Sequence, residues 1–208
     1  MKFIIYSIIF LSSPLIYAHP VSFKNATAVM TWNQTFMTDN WVVYSFQSNM
    51  AVAARTMRLE MPEGRMDYYA PQVDFLVKRW NETNSQANIY VYGSYGVAHF
   101  LEKTDRAAQI GLEMDAESRK HYISFKYEKM WTPAGPDMDF IKARIGIAPY
   151  EAEFSELASW FMIQYQRHPM LVKQNVVTPL VRLFYKSVLF EGGVSTSGDW
   201  MLNFMFHF

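Results

Sequence analysis

The stretch Asp199-Trp200-Met201-Leu202-Asn203-Phe204-Met205-Phe206-His207-Phe208 ends the chain and carries the pattern on which the fold turns. Successive side chains of an extended strand point to opposite faces. Trp200, Leu202, Phe204, Phe206 and Phe208 therefore share one face, and Met201, Asn203, Met205 and His207 the other. The same period of two recurs upstream, with turn-forming residues between segments. It predicts strands near residues 26–34, 41–48, 52–61, 69–80, 87–98, 107–115, 121–130, 138–148, 159–166, 176–185, 188–194 and 199–208. Most match the roughly 9–11 residues that a tilted strand needs to cross a bilayer. The count is twelve, or ten if the weakly patterned first segment and the short, glycine-containing eleventh are not strands. Either even number brings both termini to the same side.

Composition narrows the class. Aromatic residues make up 17% of the 208 residues and charged residues only 18%, where an ordinary soluble domain has about 25% charged. Nineteen basic and nineteen acidic side chains cancel, which argues against a nucleic-acid partner. The absence of cysteine excludes a disulfide scaffold, a zinc ribbon and a thiol nucleophile. Residues 1–18 place Lys2 before an apolar run from Phe3 to Leu11, then Ser12-Ser13-Pro14 and Ala18. That is the layout of a cleaved secretory signal peptide, and the run is too short for a membrane helix. Residues 19–208 are then expected to form one barrel domain.

Alternation sorts the remaining side chains into two environments. Ile110, Leu112 and Met114 oppose Gln109, Glu113 and Asp115; Ile141, Ala143, Ile145 and Ile147 oppose Lys142 and Arg144. A soluble barrel turns its apolar faces inward and a membrane barrel turns them outward. A twelve-strand soluble barrel would have to fill a wide interior with those faces. The outward assignment predicts a lumen holding Arg58, Lys78, Lys126, Lys142, Arg144 and Arg182 against Glu60, Asp74, Glu113, Asp115, Glu128 and Glu191. Signs that balance read as a cross-linked interior rather than a selective pore, because buried charges persist only when paired.

An amphipathic closing strand with a carboxyl-terminal Phe resembles the last strand of bacterial outer-membrane β-barrels, although a soluble sandwich can also end on such a strand. The resemblance implies an all-β, antiparallel, up-and-down transmembrane β-barrel in the cell outer membrane. It also implies that Phe204, Phe206 and Phe208 form the signal read by the barrel-assembly machinery, with outer-membrane lipid as the other partner. Trp41, Tyr69, Trp80, Trp131, Trp160 and Trp200 fall near predicted strand ends, as membrane interfaces favour. Nothing in the sequence sets an oligomeric state.

No catalytic constellation stands out. His121 and Ser124 are three apart and so sit on opposite faces of one strand; no Gly-Xaa-Ser-Xaa-Gly or His-Glu-Xaa-Xaa-His occurs. Glu113 and Asp115 share a face, where a salt-bridged pair is the simpler reading than an acid/base dyad. The expectation is a non-enzymatic envelope protein with a structural, small-solute or metal-linked role, copper being the candidate metal. Two alternatives are a membrane-embedded lipid-modifying hydrolase using His121 or His207 as base, and a soluble periplasmic barrel that binds an apolar ligand. Cleavage after Ala18 would make His19 the amino terminus, whose amine and imidazole can chelate copper, with Pro20 removing the next amide. Met201, Met205 and His207 offer a second candidate metal set on one strand face; no other cofactor is indicated.

Several segments together resemble an uncharacterised family of small exported Gram-negative proteins: His19-Pro20-Val21-Ser22, Val77-Lys78-Arg79-Trp80-Asn81, Ser85-Gln86-Ala87-Asn88, Arg144-Ile145-Gly146-Ile147-Ala148-Pro149-Tyr150 and Thr178-Pro179-Leu180-Val181-Arg182. The resemblance spans nearly the whole chain beyond residue 18. It implies an association with heavy-metal or copper resistance, and no activity or site residues.

Overall fold

A computed structural model describes residues 21, 23–153 and 155–208; the expected signal peptide and His19 lie outside the described residues. Twelve antiparallel strands follow one another: β1 (Ala26–Gln34), β2 (Met37–Gln47), β3 (Met50–Met61), β4 (Gly64–Asn81), β5 (Ser85–Phe100), β6 (Lys103–Ser118), β7 (His121–Trp131), β8 (Met138–Ile147), β9 (Ala158–Arg167), β10 (Asn175–Tyr185), β11 (Val188–Val194) and β12 (Trp200–His207). Each pairs with its sequence neighbours, and β12 returns to β1 from Ala28↔His207 to Gln34↔Met201, which closes the barrel. Closure leaves no unpaired sheet edge, which a membrane-spanning sheet requires.

β4, β5 and β6 run longer than the alternation predicted. Their added ends, such as Gly64-Arg65-Met66-Asp67 and Lys103-Thr104-Asp105-Arg106, keep backbone pairing without an apolar rhythm. Hydrophobic period reports only the part of a strand that has one dry face, and these ends extend past it.

The outer wall is apolar. Ile123, Ile145, Ile163, Phe161 and Val42 are each more than half exposed, and Phe204 and Leu202 on the closing strand are also exposed. A contiguous exposed band of this kind is unstable in water and favourable against hydrocarbon. The chain is a transmembrane β-barrel, and the soluble-barrel alternative is overturned by the direction of these side chains.

Inside, the lumen is filled in layers. At the end away from the termini lies an apolar plug that includes Phe36, Met57, Leu59, Met61, Met66, Tyr68, Phe100, Met130, Met138, Phe140 and Leu171. Near the termini a second cluster gathers Val21, Met30, Trp41, Val43, Tyr90, Tyr92, Leu189 and Met205. Ion pairs and amides are interleaved with this second cluster, Arg55 standing opposite Trp41 in the β2–β3 register. Gly111 makes room within the wall: a Cβ there would collide with the Tyr92 ring.

The plug corrects the assumption that apolar faces look outward at every depth. In Met57-Arg58-Leu59-Glu60-Met61 the apolar residues are buried inside the barrel, so Arg58 and Glu60 face outward. Arg58 instead joins Arg65 around Asp67 on the outer wall, at 2.9 and 3.0 Å. Lys78 also lies outside the lumen. A bulge between Leu76 and Lys78 shifts the pleat by one residue. That turns Arg79 inward to Asn88 Oδ1 at 2.6 Å and leaves Lys78 over the Trp80 ring at 5.8 Å.

Candidate functional site: the charged lumen

Arg55 is the centre of the first network. The segment Ala51-Val52-Ala53-Ala54-Arg55 puts small residues at Ala51 and Ala53 on the inner face, which leaves room for a long side chain at Arg55. Its Nε and Nη2 donate to the two carboxylate oxygens of Asp39 on β2, at 2.9 and 2.7 Å. Nη1 reaches Glu128 Oε1 of β7 at 2.8 Å and donates to Gln109 Oε1 at 2.9 Å. The guanidinium also lies 4.6 Å from the Trp41 ring centroid, and Trp41 Nε1 donates to the same Asp39 at 2.7 Å. A fork paired in this way satisfies the directional demands of a fully buried guanidinium.

Lys126 extends this network, 3.5 Å from Glu128 and 4.0 Å from Glu113. Its ammonium also faces the rings of Trp41 and Tyr92, at 4.7 and 5.2 Å. Beyond it, Gln72 Nε2 donates to Asp74 Oδ1 at 2.7 Å, and Asn88 Nδ2 donates to Asp115 Oδ1 at 2.7 Å.

The second network is centred on an anion. Glu191 of β11 accepts from Arg182 Nε at 2.7 Å and Arg144 Nη1 at 3.1 Å through one oxygen, and from Asn203 Nδ2 at 2.7 Å through the other. Arg144 Nε in turn donates to Gln164 Oε1 at 2.6 Å. Four strands are tied across the lumen by this one carboxylate.

Between the networks lies a cavity of about 40 Å³, bounded by Trp32, Glu113, Lys126, Lys142, Arg144 and Glu191 among others. That is the room of one or two water molecules. Lys142 sits at its wall, 5.9 Å from the Trp32 ring. The arrangement can hold strands together and narrow the space that solvent could occupy.

Of the residues expected in the lumen, the structure brings Asp74, Glu113, Asp115, Lys126, Glu128, Lys142, Arg144, Arg182 and Glu191 inside, and leaves out Arg58, Glu60 and Lys78. Sequence reasoning passed over Arg55, Asp39 and Gln164; it put Gln72 and Gln109 on the inward polar faces without giving them a role. The signal for Arg55 was the inward run of alanines before it, which gives no apolar face from which to read phase.

The Met201, Met205 and His207 set does not converge. All three point inward, yet positions four and six apart on one strand are separated by about 13 and 20 Å. Met201 Sδ instead accepts from Gln164 at 3.3 Å, while His207 Nε2 lies 3.1 Å from Met205 Sδ. His121 and Ser124 stand on opposite sides of the wall, and His121 lines a shallow apolar groove on the outer surface. Phe204 and Phe208 face outward, and Phe206 stacks edge-on against Phe208 with centroids 4.4 Å apart.

The loop 168–174 seals the far end. Leu171 is inserted in the plug, and Val172 N donates to Glu60 O at 3.1 Å. Lys173 pairs with Asp199 at 3.4 Å, and Ser197 Oγ donates to the same carboxylate at 2.6 Å. The Ser197 hydrogen bond, with help from Lys173, lowers the Asp199 pKa below the usual carboxylate range.

No protein-family model matches the chain. No curated protein matches it at a significant level. Among solved structures, the OccK8 (OprE) barrel of Pseudomonas aeruginosa aligns with a TM-score of 0.43 and 5% identity, over 83% of this chain and 57% of its own. The KdgM porin in complex with disordered oligogalacturonate aligns with a TM-score of 0.50 and 8% identity, over 88% of this chain and 98% of its own. The shared feature is the fold: a closed antiparallel outer-membrane β-barrel.

Proposed function

We propose that this chain is a non-enzymatic outer-membrane barrel with a lumen closed at rest, which handles a small solute only when its plug is displaced. The observation that carries this reading is the filled interior of an outer-membrane barrel. An apolar plug caps one end, and two charge networks cross-link the middle. A permanently open pore needs a continuous wet path and a lining of one charge sign if it is selective, whereas here opposite charges face and neutralise each other. The copper or heavy-metal setting implied by the segment resemblance fits a role in handling a metal ion.

Planar-bilayer recording on the purified, folded protein tests the proposal. Wild-type protein is expected to stay closed. Phe140→Ala combined with Leu171→Ala, which hollows the plug and releases its lid, is expected to give discrete conductance steps. Steady open-pore current through the wild type would refute the closed resting state.

A further inference from the structure

The small cavity between the two networks carries more cations in its wall than carboxylates. Lys126, Lys142, Arg144 and Arg182 border it, against Glu113 and Glu191. Those carboxylates are already engaged. Glu191 is shared by Arg182 and Arg144, at 2.7 and 3.1 Å. Glu113 lies 4.0 Å from Lys126, and Glu128 serves both Lys126 at 3.5 Å and Arg55 at 2.8 Å. Lys142 is left over. Among the described residues it makes no ion pair and no hydrogen bond, and it meets only the Trp32 ring, 5.9 Å away.

Strand register builds this excess into the wall. Lys126 and Lys142 are direct partners across β7 and β8, and Ser124 faces Arg144 one pleat repeat along. Three of the four inward positions of that block are therefore cationic. Like charges directly opposite on one sheet face repel, and a buried charge persists only with a counter-charge. Yet the two ammoniums do not diverge. Both approach the same Trp32 ring, at 6.0 and 5.9 Å, and that ring is part of the cavity wall. The position between them calls for negative charge that the chain itself does not supply. Volume then selects the anion. About 40 Å³ is the room of one or two water molecules, which a halide ion fits and a tetrahedral oxyanion does not. Met30, Leu189 and Met205 complete the wall; an apolar side suits a polarisable ion without directional bonds better than an oxyanion that needs a donor for every oxygen.

We propose that this cavity binds one halide ion, chloride in the cell envelope, held by Lys142 and Lys126 beside Arg144 as the counter-ion missing from the lumen. The site goes beyond the closed resting state and does not depend on it. A barrel that proves open would keep the same unpaired ammonium, and the test reads binding rather than current.

Bromide is the probe, because a heavy halide quenches tryptophan on contact and Trp32 stands in the wall. The folded full-length mature chain, in chloride-free gluconate at constant ionic strength, is expected to show a saturable quenching component above the linear collisional one. Chloride is expected to displace it and sulfate to leave it in place. Lys142→Met is expected to weaken the saturable component at least tenfold while keeping heat-modifiable migration on gels. Lys78→Met, outside the lumen, is expected to leave it unchanged. Anomalous scattering from wild-type crystals grown in bromide, which needs no variant to fold, is expected to place one bromide beside Lys142 Nζ. Purely linear quenching, displacement by sulfate as readily as by chloride, affinity retained in Lys142→Met, or no bromide in the cavity would overturn the assignment.

Discussion

Arg55 and Arg58 are three residues apart on one strand and live in different media. Arg55 is wholly buried between Asp39 and Glu128, whereas the Arg58 side chain is 53% exposed beside Asp67. Removing one partner of a buried network leaves the other charges uncompensated, at a cost of about 3–5 kcal/mol. Arg55→Leu is expected to lose that much, measured by urea unfolding of protein inserted in vesicles. Arg58→Leu is expected to leave the unfolding midpoint nearly unchanged, since exposed pairs are weak and screened. Gly111 provides a steric counterpart. Gly111→Val forces the Tyr92 ring away from Lys126, and destabilisation of about 1–3 kcal/mol is expected from overpacking.

Among the elements, strand existence was the most legible feature, because each segment has one dry face and a period of two survives any packing detail. Direction was less so. The charged face of β3 was expected inside and lies outside, because the plug reverses which face is dry at that depth. The Leu76/Lys78 bulge was invisible for another reason: one extra residue changes the phase without changing composition. The β11–β12 loop carries a pH prediction. The lowered pKa of Asp199 means that its contribution is present above about pH 4, the ordinary carboxylate value, and is lost as pH falls below it through the folded pKa. The thermal-stability gap between wild type and Asp199→Asn is expected at neutral pH and should close in acid.

At the scale of the whole barrel, the outward band assigns the surrounding solvent. Ile163, half exposed at the middle of β9, faces hydrocarbon. Ile163→Arg is expected to destabilise the bilayer-inserted protein by about 2–4 kcal/mol, as for charges at the midplane of other barrels. A stability unchanged in vesicles would contradict the lipid-facing assignment. Alternating strands, twelve or ten of them, a membrane-type closing strand and balanced charge were legible in the sequence, because each depends on composition or on neighbours one or two residues away. Which carboxylate meets which cation, the reversal of β3 at the plug, and the placing of His168 between Phe36 and Phe140 were decided only by tertiary structure. Those contacts join residues tens of positions apart, and only the register of a closed ring places them at the same depth.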